Sequence, residues 1–121
     1  MAKVKASCHC GACQIEVETP EHVTSCTCTF CSKRGALWAY YPKENVTFLQ
    51  PVQHDASYSK RGFAHHHFCA NCGCTTYSES PSWVDFKPDY EHMRISVNAR
   101  LIDDLDPATL RVETIDGRNL W

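Results

Sequence analysis

Residues 68–73 read Phe-Cys-Ala-Asn-Cys-Gly, the most specific local signal in this chain. Cys69 and Cys72 are separated by two residues and followed by a glycine at the turn. This is a zinc knuckle, which supplies two ligands of a tetrahedral zinc site. A closed site needs two more ligands, and the pair formed by Cys8 and Cys10 is the natural source. Such a site joins the first strand to the middle of the chain and closes a long loop in a small protein.

A second cysteine group lies upstream, where residues 25–34 read Ser-Cys-Thr-Cys-Thr-Phe-Cys-Ser-Lys-Arg and are expected to form a loop. Cys26, Cys28 and Cys31 can bind one zinc ion and leave its fourth position open, as expected of a catalytic site. Lys33 and Arg34 follow, and their positive charge would favour ionised sulfurs. The alternative is that both are solvated surface groups. The sequence therefore predicts two zinc ions per chain, one structural and one catalytic and labile.

Two cysteines are not needed by this division into two sites. Cys13 shares one face of a predicted strand with Ile15 and Val17, which favours a small buried hydrophobic residue over a metal ligand. Cys74 directly follows the knuckle, and it could instead reach the second metal and close its open position.

A run of three histidines lies on one arm of a predicted hairpin. Strand alternation places His65 and His67 on one face and His66 on the other, so the three cannot share one site without a bulge. One of them could serve as an acid or a base near the open metal. The alternative is a polar strand face without a chemical role.

The composition indicates a single globular domain spanning residues 1–121. A hydrophobic fraction of 43% with 21% charged residues is ordinary for a folded domain. The formal net charge of −2 provides no basic stripe, so no nucleic-acid partner is expected. The sequence shows neither the apolar segment of a secretory signal nor a membrane span, so we expect a cytoplasmic protein without a membrane partner.

The chain contains nine cysteines, which is many for its length. In a reducing compartment, clustered cysteines indicate metal binding or catalysis more often than disulfides. A disulfide scaffold in a secreted protein is the alternative, but the close Cys-x-Cys and Cys-x-x-Cys spacings favour metal.

The pattern of the whole chain predicts an all-β fold of short strands with little helix. A hairpin is expected from residues 56–59 and 64–68 around Lys60-Arg61-Gly62. Residues 79–90 mix prolines with aromatic residues and are expected to be irregular, either a lid over the pocket or a surface loop. A helical turn is expected at residues 106–110. Further strands are expected directly after Cys13 and at residues 23–28, 36–41, 46–49, 75–78, 94–97 and 110–115.

Together these motifs resemble the glutathione-dependent formaldehyde-activating enzyme family, also called the GFA/CENP-V family, over nearly the whole chain. The resemblance rests on Cys-His-Cys-Gly-Ala at residues 8–12, the three-cysteine segment, His-Phe-Cys-Ala-Asn-Cys-Gly at 67–73, and the tail of residues 110–119. It implies a β-tent fold of short layered antiparallel sheets stabilised by zinc. It also implies a structural zinc at Cys8, Cys10, Cys69 and Cys72 and a catalytic zinc at Cys26, Cys28 and Cys31.

The activity implied by this resemblance is that of a carbon–sulfur lyase, in which glutathione condenses with formaldehyde to S-hydroxymethylglutathione. At an open zinc a substrate thiol would bind as the thiolate, its nucleophilic form. Polarisation of the aldehyde by zinc as a Lewis acid is an alternative. Because three thiolate ligands reduce the Lewis acidity of the metal, thiol activation is favoured.

Glutathione carries two carboxylates, for which Lys33, Arg34, Lys60 and Arg61 are the candidate partners. The expected assembly is a monomer or a homodimer. A second hypothesis is a zinc-stabilised binding module of the same fold that performs no chemistry. The two hypotheses differ at the three-cysteine site, because a binding module does not need an exchangeable metal there.

Overall fold

The structure, a computed structural model, describes residues 2–120. Within them ten strands form two sheets, and two short helices accompany the sheets. The strands are β1 (Lys3–Ser7), β2 (Gln14–Glu18), β3 (His22–Cys26), β4 (Trp38–Pro42), β5 (Thr47–Phe48), β6 (Asp55–Tyr58), β7 (His65–Cys69), β8 (Thr75–Val84), β9 (Lys87–Asn98) and β10 (Arg111–Ile115). The helices are α1 (Thr29–Arg34) and α2 (Gly117–Leu120), and short 3-10 turns lie at Lys43–Asn45, Ala99–Leu101 and Pro107–Thr109.

The smaller sheet has the strand order β1-β2-β5, and the larger sheet has the order β10-β3-β4-β9-β8-β7-β6. Neighbouring strands are antiparallel except β10 and β3, which run parallel. This parallel edge departs from the antiparallel layers that the family resemblance implies. It arises because residues 99–110 cross over from β9 to the far side of β3, and parallel pairing needs a connection of about a dozen residues.

The hydrophobic core lies between the two sheets. Ile15 and Val17 of β2 are each 1% exposed, and they belong to one buried cluster with Val23, Ile95 and Val97 of the larger sheet. These residues recur with the period of two that brings alternate side chains to one face of a strand. The alternation predicted for the strand after Cys13 is therefore confirmed, as is the mostly β architecture.

The other face of the larger sheet is polar. On β9, Arg94 and Ser96 alternate with the apolar core residues of that strand. Ser96 is paired in register with Tyr40 on one side and with Ser78 on the other, and Ser78 is paired with His66. A ring from α1 stacks on the His66 imidazole, so the helix lies against this polar face. The candidate site described below is built on it.

The three-cysteine segment is not a loop, contrary to the sequence-based expectation. β3 continues to Cys26, and α1 begins at Thr29 with Cys28 as its N-cap, whose sulfur accepts a hydrogen bond from the Cys31 N–H. Gly35 ends the helix in the left-handed conformation, with φ of 64°. The helix escaped prediction because cysteine is not among the residues that usually cap a helix.

The expectation that residues 79–90 are irregular is wrong. β8 and β9 form a long hairpin through them, with Val84 paired to Lys87 across the turn. Asp85 and Phe86 have φ of 50° and 63°, as a two-residue type I′ hairpin turn requires. The interpretation of residues 79–90 as a lid is also wrong. Among these residues, only Ser80 lines either of the two surface hollows that are described below.

The predicted hairpin is confirmed as β6 and β7, whose register pairs Tyr58 with His66. The helical turn expected at residues 106–110 is present at Pro107–Thr109. β1 was not predicted, although its apolar Val4 and Ala6 alternate with lysines as in a strand with one exposed face. The strands predicted at residues 23–28, 36–41, 46–49 and 110–115 are present with small shifts of their ends, as β3, β4, β5 and β10. The strands predicted at residues 75–78 and 94–97 are present as β8 and β9, which extend well beyond the predicted ends.

None of the helices within residues 2–120 is long and apolar enough to cross a membrane.

Candidate metal centres

Four cysteine sulfurs, here called the four-sulfur cluster, meet between segments of the two sheets. Cys8 and Cys10 follow β1, Cys69 ends β7, and Cys72 lies in the turn after it; all four sulfurs lie within 4.8 Å of one another. The Cys8 and Cys10 sulfurs are 3.7 Å apart, and those of Cys10 and Cys69 are 3.6 Å apart. A tetrahedral zinc ion with Zn–S bonds of about 2.3 Å holds its sulfurs about 3.8 Å apart. The cluster therefore fits one metal ion bound by four thiolates.

Two backbone turns of similar design hold these sulfurs. The Cys8 N–H donates to the Cys13 carbonyl at 3.1 Å, and the Cys69 N–H donates to the Cys74 carbonyl at 2.9 Å, so each turn closes five residues after its first cysteine. Each turn also needs one residue with a positive φ, a conformation that costs glycine little. The residues are Gly11, with φ of 81°, and Gly73, with φ of 82°.

Cys13 and Cys74 occupy equivalent closing positions of the two turns. Cys13 is 2% exposed, and burial raises the pKa of its thiol to about 12, so it is the buried apolar residue that the sequence predicts. The Cys74 thiol contacts the backbone of His9 and the Cys72 thiol. It therefore lies beside the four-sulfur cluster, and the expectation that it could close the second metal site is wrong.

A second group, here called the three-sulfur cluster, is formed by Cys26, Cys28 and Cys31, whose sulfurs lie within 4.8 Å of one another. The end of β3 and the first turn of α1 bring them together. Within residues 2–120, no histidine, cysteine or carboxylate completes this group as a fourth ligand. A tetrahedral metal bound here would keep one position for a ligand from outside the chain.

Each sulfur of the three-sulfur cluster accepts one N–H hydrogen bond. The Cys28 N–H donates to the Cys26 sulfur at 3.5 Å, and the Cys31 N–H donates to the Cys28 sulfur at 3.3 Å. The third donor is the indole Nε1–H of Trp38, which lies 3.4 Å from the Cys31 sulfur. Hydrogen bonds of this kind favour the ionised sulfur over the thiol.

Burial acts in the opposite direction on the same sulfurs. It raises the pKa of the Cys31 thiol to about 12 and also raises the pKa of Cys26. Three thiolates so close together also repel one another, so their joint ionisation requires a bound cation. A set of three thiolates suits a borderline-soft metal ion, and zinc is consistent with it.

Two hollows on the polar face lie beside the three-sulfur cluster and share His66. The first, here called the sulfur pocket, has a volume of about 140 Å³ and is lined by Cys26, Cys31, Trp38, Tyr40, Ala64, His66, Ser78, Ser80, Arg94, Ser96 and Ile115. The second, here called the basic groove, has a volume of about 390 Å³ and is lined by Thr29, Phe30, Lys33, Arg34, Tyr58, Lys60 and His66. A ligand bound across both hollows would contact the cysteine cluster and the basic residues together.

His66 is held in a defined orientation where the hollows meet. Its Nδ1 lies 2.8 Å from the Ser78 hydroxyl oxygen, and its ring stacks on Phe30 with the centroids 3.9 Å apart. Burial, helped by the charge of Arg34, lowers the pKa of His66 below its ordinary value of 6.5. The ring is therefore neutral at pH 7, and a neutral imidazole can accept a proton and return it.

The neighbouring histidines do not share this position. His67 lies on the other face of β7, with its Nδ1 2.9 Å from an Asp55 carboxylate oxygen and its ring stacked on Tyr77. His65 is exposed. The alternation predicted for the three histidines is confirmed for His66 and His67, and among the three only His66 lines either hollow.

Three of the four basic residues predicted to bind carboxylates line the basic groove. They are Lys33, Arg34 and Lys60, whereas Arg61 lines neither hollow. The Arg34 guanidinium lies 4.6 Å from the centre of the Phe30 ring, which fixes its position. Among residues 2–120, none of these three cations has a carboxylate within 4.0 Å. Their charges are therefore available to an anionic ligand.

The sequence did not identify several residues that line the sulfur pocket. Trp38 could have been found, because a tryptophan in a strand predicted to be buried needs an acceptor for its indole N–H. Ser78 and Ser80 showed the period of two that marks one strand face, but this signal says nothing about a site. Arg94 and Tyr40 carry no local signal, because only the pairing of β4, β9 and β8 brings them to the pocket.

Comparison with known proteins agrees with this geometry. A family model described as glutathione-dependent formaldehyde-activating enzyme matches residues 3–111. No curated protein matches the chain. The crystal structure of a Rhodobacter sphaeroides protein, a structural genomics target, is similar with a TM-score of 0.69 and 26% identity, covering 90% of this chain and 99% of that chain. Because the family model spans most of the sequence, this chain belongs to the glutathione-dependent formaldehyde-activating enzyme family.

Proposed function

We propose that this chain is a zinc-dependent carbon–sulfur lyase-type enzyme that condenses glutathione, or a similar thiol, with formaldehyde or a related aldehyde. The observation that carries the proposal is the three-sulfur cluster, whose Cys26 and Cys31 line a pocket. In this reaction the thiol sulfur forms a bond to the aldehyde carbon, and the carbon–oxygen double bond becomes single. The thiol proton ends on the oxygen, so the S-hydroxymethyl adduct forms without a further reactant.

The proposal assigns different roles to the two clusters. The four-sulfur cluster holds a structural zinc ion, and Cys26, Cys28 and Cys31 hold a catalytic zinc ion that exchanges more readily. When bound there, zinc stabilises a substrate sulfur as the nucleophilic thiolate. The N–H donors around the three-sulfur cluster, including Trp38, orient the protein sulfurs and favour their ionised form.

His66 is the proposed acid–base residue. It lines the sulfur pocket together with Cys26 and Cys31, and its lowered pKa keeps the ring neutral at pH 7. It takes the thiol proton as the substrate sulfur ionises and returns a proton to the aldehyde oxygen as the carbon–sulfur bond forms. The Ser78 hydroxyl holds the imidazole in position for both transfers.

The basic groove is the proposed binding site for the rest of the thiol substrate. Lys33 and Arg34 would bind a carboxylate of glutathione, and Lys60 adds a third positive charge to the same groove. The volume of about 390 Å³ falls within the usual range of small-molecule sites, which begins at roughly 300 Å³. Arg61 lines neither hollow and is left out of the proposal.

The cytoplasm is the proposed location, and a monomer or a homodimer is the proposed assembly. None of the nine cysteines is in a disulfide, as is usual in a reducing compartment. The net charge of −2 gives no electrostatic support for a nucleic-acid partner.

Thiol-induced stabilisation tests the proposal in protein that is shown to hold both zinc ions. Glutathione at a hundredfold excess over its Kd should add about 2.7 kcal/mol to the free energy of unfolding. The Tm should rise by several degrees, because ~1 kcal/mol shifts a domain of this size by about 4 °C. S-methylglutathione, whose sulfur cannot ionise, should raise it much less. Bound zinc must be measured in parallel, because excess thiol can strip a labile metal.

Catalysis is measured in the same samples by NMR exchange between formaldehyde and glutathione, above the uncatalysed rate. The Cys28→Ser variant should lose both the thiol response and the acceleration. The Cys74→Ala variant, which removes a thiol beside the other cluster, should keep both. No response to glutathione or to other small thiols in fully loaded protein would contradict the proposal and favour the binding module.

A further inference from the structure

Arg94 stands in the sulfur pocket, apart from the three cations of the basic groove. Its Nε–H donates to the Ser80 hydroxyl at 3.3 Å, and its guanidinium carbon lies 5.0 Å from the centre of the Tyr40 ring. These two contacts fix the plane of the guanidinium. Among residues 2–120, neither terminal nitrogen has a hydrogen-bond acceptor, so both can donate to a ligand.

Within the part of the chain that the structure describes, Arg94 forms no ion pair with a carboxylate, since none lies within 4.0 Å of it. Ser78, Ser80 and Ser96 add hydroxyl groups to the same pocket, and each is less than a tenth exposed. An oriented guanidinium with hydroxyl groups beside it matches a carboxylate, which can accept two parallel hydrogen bonds from arginine.

We infer that Arg94 is a carboxylate subsite for the substrate thiol, distinct from the basic groove, so that the site selects thiols with a carboxylate on each side of the sulfur. The inference rests on the proposed function and states which thiols the proposed enzyme selects. One carboxylate of the thiol binds in the basic groove near Lys33 and Arg34, and the other binds Arg94. The sulfur then lies in the sulfur pocket that Arg94 shares with Cys26 and Cys31.

A purely structural role for Arg94 makes a different prediction. If the arginine only stacks on Tyr40 and bonds Ser80, its loss would lower stability and weaken the binding of every thiol to a similar extent. If Arg94 is a carboxylate subsite, its loss would instead weaken the binding only of those thiols that carry the matching carboxylate. The comparison of variants with truncated ligands therefore separates the two roles.

The experiment measures thiol affinity by calorimetry on zinc-loaded protein at constant ionic strength. The ligands are glutathione, its glycyl ethyl ester, the analogue with 4-aminobutanoyl in place of γ-glutamyl, and cysteamine. The ester and the 4-aminobutanoyl analogue each lack one carboxylate charge, and cysteamine lacks both. The proteins are the wild type, Arg94→Gln, Arg94→Lys and the control Arg111→Gln, whose side chain pairs with Glu113 on β10.

Arg94→Gln should lower the affinity for glutathione about tenfold to a hundredfold, as expected for a lost charge-assisted hydrogen bond. It should change the affinity of one singly blocked analogue by less than about twofold, because that ligand has already lost the partner of Arg94. Cysteamine should bind the variant as it binds the wild type. Arg94→Lys should retain part of the glutathione affinity through its charge, and Arg111→Gln should retain all of it.

The inference is overturned if Arg94→Gln binds glutathione as tightly as the wild type does, or if the substitution lowers the affinity for all four thiols equally. It is also overturned if the wild type binds no thiol. Parallel measurement of formaldehyde exchange separates this result from the proposed function. Arg94-dependent glutathione binding without acceleration would support the subsite and contradict the lyase. If the wild type accelerates the exchange and Arg94→Gln binds glutathione with full affinity, the lyase activity would be supported and the subsite contradicted.

Discussion

At the scale of single residues, Trp38 shows how a buried side chain outside the three-sulfur cluster supports it. Its ring is 4% exposed, and its indole N–H donates to the Cys31 sulfur at 3.4 Å. The other two sulfurs receive backbone N–H bonds, which no substitution of a side chain removes. Trp38 is therefore the position at which the hydrogen bonding of the cluster can be changed by mutation.

Trp38→Phe should weaken metal binding at the three-sulfur cluster about tenfold, because hydrogen bonds to metal ligands commonly contribute that much to affinity. The four-sulfur cluster should be unaffected. Competition with a chelator, followed by the zinc content per chain, measures both. Trp83→Phe is the control, because Trp83 is 49% exposed on the β8–β9 hairpin. Equal zinc loss from wild type and Trp38→Phe would contradict this role.

The pKa of His66 gives a prediction with a definite sign. Burial lowers this pKa in the folded protein below the ordinary value of 6.5, so the unfolded chain binds the proton more readily. The contribution of His66 to stability is therefore complete above pH 6.5 and is lost as the pH falls through the folded pKa.

His66→Gln should accordingly lose less stability than the wild type when the pH is lowered from about 7.5 to about 5.5. Denaturant titrations at several pH values measure the difference. Acid also protonates the cysteine thiolates, so the comparison needs His54→Gln as a control with the wild-type slope, because His54 is exposed and is not among the groups that shift the pKa of His66. Identical slopes for wild type and His66→Gln would show that His66 does not carry a lowered pKa.

At the scale of elements, the two cysteine clusters belong to different kinds of structure. The four-sulfur cluster ties the turn after β1 to the turn after β7, and these strands lie in different sheets. The three-sulfur cluster joins the end of β3 to α1, which is its direct continuation in sequence. Loss of the first should separate the sheets, whereas loss of the second should affect only a local turn.

Cys69→Ser should therefore abolish cooperative unfolding or solubility, because structural zinc contributes on the order of 10 kcal/mol, comparable to the stability of a whole domain. Cys28→Ser should keep a cooperative thermal transition and lose one zinc ion. Thermal melts by circular dichroism and metal analysis distinguish the two. Cys74→Ala, in the same turn as Cys69, should keep both metals. Equal destabilisation by Cys69→Ser and Cys28→Ser would argue against separate roles.

The elements that sequence reasoning found and missed differ in a physical way. The β6–β7 hairpin was predicted because its turn and its alternation are both local. The β8–β9 hairpin was missed because prolines interrupt the pattern: Pro81 lies where the strand register shifts, and Pro88 lies next to the turn. Both are positions that tolerate proline within a sheet. α1 was missed because its cap is a cysteine.

At the scale of the whole molecule, the larger sheet separates two environments. One face packs against the smaller sheet, and the other carries the sulfur pocket. The cysteines could be grouped from sequence because their spacing is local within each pair or triplet. The pocket residues Ser78, Arg94 and Ser96 could not, because their proximity depends on the register between β8 and β9. The two cysteine clusters and three cations of the basic groove were therefore predictable, whereas the other residues of the sulfur pocket were not.

The central claim is that one cluster is closed and that the other accepts a substrate thiol. Cadmium NMR of protein loaded with the spin-half cadmium isotope tests it most directly, because the chemical shift responds to the number of sulfur ligands. We expect two signals, of which Cys28→Ser removes one. Glutathione should move that signal toward the four-sulfur signal and leave the other unchanged. The claim is contradicted if glutathione moves neither signal, or if it moves the signal that Cys28→Ser leaves in place.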